Sequence, residues 1–348
     1  MDRITYIIGA GFSAPAGLPV MSNFLAKSKD LYYSDIDLYR DFGRVFEQIR
    51  SLSYAKNYYS TDLMNIEEIL SIQEMSEFLD GRKLSSDFSD FIIKTIEAYT
   101  PKLKIESRAA NWYDHIFRGG RNIEALGIFV TSLLGVRFDD YRNSSPRGPV
   151  LLKDEHKDYA YSVISLNYDM LLENYADYLG RSFTTSGIES LGFKTEGYDP
   201  EWSVPHLAKL HGSVHTNEIV PPTWAKGTHP SIVTTWKTAY QILKDSNHIR
   251  FVGYSLPVAD SYLKYLLKSA VIESHHLKSL DVICMDWNGD VRTRYEDFFA
   301  LSNFRFKNSS VVDLAREIAA ATVSGGGIGT EVRTFRAAET AYETFMSK

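Results

Sequence analysis

The chain has 348 residues, 44% of them hydrophobic, with 22 tyrosines and 19 phenylalanines, enough for one large domain or two ordinary ones with a substantial core. A net charge of −6 and the lack of a basic patch leave no electrostatic case for nucleic acid or an anionic membrane as partner. A single cysteine, Cys284, excludes disulfides and any four-cysteine zinc ribbon.

In chain order, Arg3–Ile8 is β-branched and apolar and predicts a strand. It runs straight into Gly9-Ala10-Gly11-Phe12-Ser13-Ala14-Pro15-Ala16-Gly17-Leu18-Pro19. A strand that stops at Gly-x-Gly and turns into a helix lets backbone N–H groups approach a diphosphate. The helix N-terminus adds only about 0.3–1 kcal/mol, so close hydrogen bonds must supply most of the grip. Gly9, Gly11 and Ala14 satisfy the Gly-x-Gly-x-x-Ala of a dinucleotide-binding Rossmann unit. Asp30 and Asp35 lie near the distance of its acidic residue, although Lys27–Tyr33 is a poor second strand.

Residues 25–155 read as mainly helical. Asn65–Ile72 and the apolar positions Phe88, Phe91, Ile92 and Ile96 have helical spacing, Pro101 interrupts, and Asn111–Phe117 begins another amphipathic segment. The apolar run Ala125–Val136 predicts a buried helix and falls short of the ~20 residues that span a bilayer. With no signal-peptide pattern at its N-terminus, the chain is expected to be soluble and cytoplasmic. This region is either a helical insertion between the first two strands of a sheet or a separate helical domain. Asn143–Pro149 is a polar link after it.

Tyr161–Leu166 predicts a buried strand ending at Asn167-Tyr168-Asp169, with a helix from Met170 to Leu179. In open α/β sheets ligands bind beyond the carboxyl ends of strands, so Asn167 and Asp169 either face a ligand or cap that helix. Residues 181–205 are loop-like and suit a mobile lid. Leu207–Leu210 leads into His211-Gly212-Ser213-Val214-His215, Val220–Thr223 is extended, and Trp236–Leu243 is helical. Ile249–Val252 is a strand followed by the turn Gly253-Tyr254-Ser255-Leu256-Pro257, and Asp260 caps a helix over Ser261–Ile272. Leu280–Asp286 is the next strand and Trp287–Asp290 its terminal turn. This alternation predicts an α/β fold with a doubly wound parallel sheet. Beyond Ser302 the signal fades. Val323–Thr330 reads as a flexible hinge and residues 331–348 as a detachable helix suited to an oligomer or partner contact.

Other candidates are weaker. His215 stands four residues after His211, but Gly212 and the lack of a third ligand nearby argue against a metal pair. His275-His276 reads as solvated surface. Ser255 lacks the second glycine of a nucleophile elbow, Pro257 standing in its place.

Four strand ends thus carry small or polar signatures: Gly9–Pro19, Asn167-Tyr168-Asp169, His211-Gly212-Ser213, and Gly253–Pro257 with Asp260. In order and type they resemble the sirtuin-like (Sir2-type) NAD-binding family. The wording of Leu166–Asp169, Leu210–Ser213 and Gly253–Pro257, with Val220-Pro221-Pro222 and Trp236, resembles its bacterial anti-phage defence NAD hydrolases. The resemblance covers roughly residues 1–24, 160–223 and 236–290. It implies a Rossmann-like catalytic domain at 1–24 and 156–310, the helical insertion or cap at 25–155, and a hinge with C-terminal helix at 323–348. NAD is the implied substrate, with no metal. Gly9, Ala10, Gly11, Phe12, Ser13, Gly17, Leu18, Pro19, Gly253, Tyr254, Ser255, Asp286 and Asn288 are the implied cofactor-binding residues. Asn167, His211 and Asp169 are the implied catalytic ones: Asn167 holding water and ribose hydroxyls, His211 as base, Asp169 orienting the ribose or the nicotinamide amide. Deacylases of the family continue Gly-Ile-Pro with Asp-Phe-Arg, where this chain has Val20-Met21-Ser22-Asn23-Phe24, and carry a four-cysteine zinc module. The implied activity is therefore NAD⁺ glycohydrolysis to nicotinamide and ADP-ribose by an NAD-depleting defence effector. It would be a homo-oligomer, with a separate sensor or HerA-type ATPase as a further partner. The alternatives are a non-catalytic NAD or ADP-ribose sensor, a nicotinamide-dependent oxidoreductase and an NAD-dependent protein deacylase.

Overall fold

A computed structural model describes residues 1–52, 65–81, 85–103, 121–141, 148–153, 158–188, 190–201, 204–220, 230, 232–258, 260–272, 274–299, 303–322 and 338–348. Asn111–Phe117, Asn143–Arg147, Pro221–Thr223 and the Val323–Thr330 hinge, all named above, lie outside them. Six strands form one sheet: β1 (Asp2–Ile8), β2 (Tyr159–Ser165), β3 (His206–Lys209), β4 (His248–Val252), β5 (Ser279–Ile283) and β6 (Phe304–Lys307). Every pairing is parallel, and the spatial order is 3-2-1-4-5-6. That is the order of the doubly wound dinucleotide-binding fold, which reverses between β1 and β4.

Strand side chains alternate between two apolar layers, as expected of a sheet covered on both sides. Ile4, Tyr6, Ile8 and Val163 face the helices Phe24–Ser34, Arg40–Leu52, Ile66–Asp80, Ser85–Tyr99, Arg121–Leu133, Leu171–Ser182, Val311–Thr322 and Ala338–Ser347. Ile7, Ile164, Phe251 and Val282 face Val233–Lys244, Ser261–Ile272 and Asp290–Phe298.

Four expectations are corrected. The apolar run Ala125–Val136 is helical only to Leu133; Gly135 turns at φ 65° and Val136–Tyr141 is a strand antiparallel to Gly148–Lys153. Residues 181–205 are not all loop, because Thr184–Ser186 adds to that pair as a third, parallel strand. Beyond Ser302 the chain supplies β6 and the twelve-residue helix Val311–Thr322. The C-terminal helix is not detached: Ala338, Ala341, Tyr342 and Phe345 are buried in the core.

Its anchor is polar. Tyr6, Arg250, Asp281 and Arg305 stand side by side in register across β1, β4, β5 and β6. Glu339 of the helix accepts from both terminal nitrogens of Arg250 at 2.6 and 2.8 Å, and Tyr161 donates to it at 2.8 Å. Asp281 accepts from Arg305 Nε and Nη2, both at 2.7 Å, and from the Tyr342 hydroxyl at 3.0 Å. Burial works against the Arg250 charge, but Tyr6, Tyr342 and Glu339 outweigh it, so the guanidinium stays charged.

Candidate active site

Beyond the carboxyl ends of β1 and β4, at the reversal of strand order, lies a cleft of about 720 Å³, within the range of small-molecule sites. The turns after these two strands touch backbone to backbone. The Gly11 amide donates to the Gly253 carbonyl at 2.8 Å. A Cβ on Gly9 or Gly11 would meet that carbonyl oxygen at 2.7–2.8 Å, and one on Gly253 would lie 2.3 Å from the Phe12 nitrogen. Gly253 also sits at φ 64°, which a side chain would strain. The glycines therefore serve the meeting of two turns. This modifies the expected phosphate cradle, because the Gly11 and Phe12 amides are spent on the Gly253 and Gly9 carbonyls. The Ala10 amide, first in the helix Ala10–Ser13, has no carbonyl a turn earlier to bond.

Asn167 follows β2 and is buried. Its side-chain nitrogen donates to the Gly9 carbonyl at 3.0 Å and to Ser13 Oγ at 3.1 Å, which uses both amide protons and tethers the second strand end to the first. What remains to offer a ligand is its acceptor oxygen. Asp169 does what a helix-capping aspartate does, accepting the Leu171 amide at 2.9 Å through one oxygen, and it also lines the cleft. Lys209 donates to the Asp169 carbonyl and pairs with Glu173 at 3.0 Å, holding the second and third strand ends together.

His211 comes from the turn after β3, where Gly212 adopts φ 81°. The Leu210 amide continues the ladder to the Ser165 carbonyl at 3.0 Å, and the Trp236 indole donates to the Leu210 carbonyl at 3.1 Å. The imidazole is buried between two carboxylates: Glu67 lies 3.9 Å from Nδ1 and Asp260 lies 3.9 Å from Nε2. Tyr168 packs its ring 5.8 Å from the imidazole and donates its hydroxyl to Glu67 at 3.4 Å. Burial, and then the Glu67 charge, raise the Tyr168 hydroxyl well above its ordinary value, so it stays a donor.

Of the sequence-identified residues, Asn167, His211, Asp169, Gly9, Ala10, Gly11, Ser13, Leu18, Pro19, Gly253, Tyr254 and Ser255 line this one cleft. Four do not. Phe12 is turned into the core against Phe129, with ring centroids 5.8 Å apart, and Gly17 makes the left-handed turn behind the wall. Asp286 accepts the Gly289, Val291 and Arg292 amides at 3.0–3.3 Å. Burial would raise its carboxyl, but these amides bring it below the usual range, as for a helix cap. Asn288 bonds Asp290 on the exposed face of the same turn.

Residues not anticipated complete the wall. Glu67 comes from the helical region, Met285 and the 89% exposed Trp287 stand after β5, and Ser309 and Ser310 open the helix Val311–Thr322. Glu67 was hidden because a glutamate in a first helical turn, two residues after the Asn65 cap, reads as ordinary dipole complement. The described lining holds three carboxylates, Glu67, Asp169 and Asp260, and no lysine or arginine. Cys284 also lines it, and its thiol is pushed up to about 11 by burial and the Asp286 charge, which leaves it protonated and a poor nucleophile near neutrality.

No protein-family model matches the sequence, and no curated protein matches it. A crystal structure of Sir2 in complex with an inhibitor, 2'-O-acetyl-ADP-ribose and a deacetylated peptide aligns with 91% of this chain and 92% of that one, at 12% identity and a TM-score of 0.30. At that score the overlap carries no argument, and the fold class follows from the strand order itself. No helix among the described residues is long and apolar enough to cross a membrane.

Proposed function

We propose that the protein is an NAD⁺ glycohydrolase that releases nicotinamide and ADP-ribose. The observation that supports this most is the Asn167 tether: one amide ties the second strand end to the glycine turn and leaves its oxygen in a cleft shared with His211. The charge of the wall agrees. Nicotinamide leaves as a neutral group from a cationic substrate, and the ribose passes through an oxocarbenium-like state, as in glycoside hydrolysis. Carboxylates around His211 favour the positive charge that develops on the ribose. The leaving group needs no protonation, so a carboxylic acid partner is unnecessary.

In this reading the Asn167 oxygen accepts from a water or a ribose hydroxyl, and His211 takes the water's proton, a role worth ~10²–10⁴ in rate. The water oxygen bonds to ribose C1′ as the C1′–nitrogen bond breaks, its electron pair passing to nicotinamide. The pyrophosphate rests on the Ala10 amide and beside Ser310 at the start of Val311–Thr322, where a helix N-terminus favours an anion. An NAD-depleting defence role, a homo-oligomer and a HerA-type ATPase partner belong to the same proposal and come from the motif resemblance; native mass measurement tests the oligomer.

Incubation with NAD⁺ and chromatographic separation of the products tests the activity. Equimolar nicotinamide and ADP-ribose are expected without any acyl-peptide. Reduced-cofactor absorbance with no free nicotinamide would favour an oxidoreductase, and binding without turnover a sensor.

A further inference from the structure

The two carboxylates beside His211 are not equivalent. Asp260 is committed at both oxygens, accepting the Tyr254 hydroxyl at 2.9 Å and the Leu263 amide at 3.3 Å. Glu67 comes from the inserted helices, accepts the Tyr168 hydroxyl at 3.4 Å and faces Nδ1 of the ring. Its backbone is fixed, since Asn65 accepts the Glu67 and Glu68 amides at 2.9 and 3.3 Å, and it lines the open cleft. It is also the one acidic residue that the helical region brings to the described lining.

We propose that Glu67 is the positioning residue for His211. It holds the Nδ1 side of the ring and sets which nitrogen carries the resting proton, leaving the other to accept one from water. A shift of about 1 Å would turn the 3.9 Å separation into a hydrogen bond of ordinary length. A base oriented by a third group is the general logic of activated sites. Here the orienting acid comes from the segment inserted between β1 and β2, so the inserted helices contribute to the chemistry as well as covering the sheet. The inference rests on the glycohydrolase reading and adds a residue to it.

The test uses the full chain, ¹⁵N-labelled, with the His211 imidazole signals identified by their loss in His211→Ala. Glu67→Gln, which keeps shape and loses charge, is expected to lower kcat for nicotinamide release by at least ~10-fold while the NAD⁺ dissociation constant stays within ~2-fold. Its imidazole nitrogen shifts should move toward the other tautomer, and Glu67→Asp should recover part of both effects. Unchanged kcat and unchanged imidazole signals in Glu67→Gln would overturn the role of Glu67 and leave the glycohydrolase reading standing. If the wild type releases no nicotinamide, that reading fails on its own. The nitrogen signals still decide on Glu67: moved in Glu67→Gln they support it, unmoved they overturn it.

Discussion

Two clusters of buried charge sit on this sheet, and they are built in opposite ways. Under the C-terminal helix, Arg250, Asp281, Glu339 and Arg305 meet at 2.6–2.8 Å, with tyrosine hydroxyls filling further positions. At the carboxyl ends of the strands, His211 lies 3.9 Å from each of two carboxylates and opens on a cleft of about 720 Å³. In the first cluster the charges are paired with one another, which suits a clamp. The second sets an amide and an imidazole in the wall of an open cleft, which suits catalysis.

Mutation should separate the two. His211→Ala is expected to reduce NAD⁺ cleavage by ~10²–10⁴ with little change in melting temperature, measured by nicotinamide release and calorimetry. Glu339→Ala should do the reverse. It strands the Arg250 charge in the core, a loss of about 3–5 kcal/mol by analogy with broken buried pairs, while the folded fraction keeps the wild-type KM. If His211→Ala proved the more destabilising, the contrast would dissolve.

Smaller effects sharpen it. Trp287 presents an exposed ring at the cleft mouth. If the adenine stacks there, Trp287→Ala should raise KM for NAD⁺ with little loss of kcat, a change of about 1–3 kcal/mol on the scale of base–aromatic stacking. Nicotinamide mononucleotide, lacking the base, should not sense the change. The weakest effect concerns the rim of the clamp. The Arg305 hydrogen bonds, against opposing burial, hold the Glu343 carboxyl below its ordinary value. Its stabilisation is then complete above the ordinary carboxylate range, about 4.3 for glutamate, and lost as pH falls through the lowered value. Glu343→Gln should flatten the acid limb of the melting curve slightly.

The sheet was legible because strand ends announce themselves: apolar runs stop at Gly9, Asn167, His211 and Gly253, and these turns do gather at one edge. Less legible was why the glycines stand there, since the contact between Gly11 and Gly253 joins residues 242 positions apart. β6 is only four residues long and partly buried, so its alternation between Asn303 and Asn308 is too short to stand out. The C-terminal helix read as detachable because its charged residues look solvated until Arg250 and Arg305 are seen opposite them. Glu67 and Trp287 take part only through tertiary placement, which local pattern does not encode.

The central claim meets its most direct test in the rate of nicotinamide release from NAD⁺ by the wild type beside Asn167→Ala, with near-ultraviolet dichroism confirming that both are folded. Steady release by the wild type and near-complete loss in the variant are predicted. Equal rates, or no release by the wild type at any NAD⁺ concentration, would contradict the account.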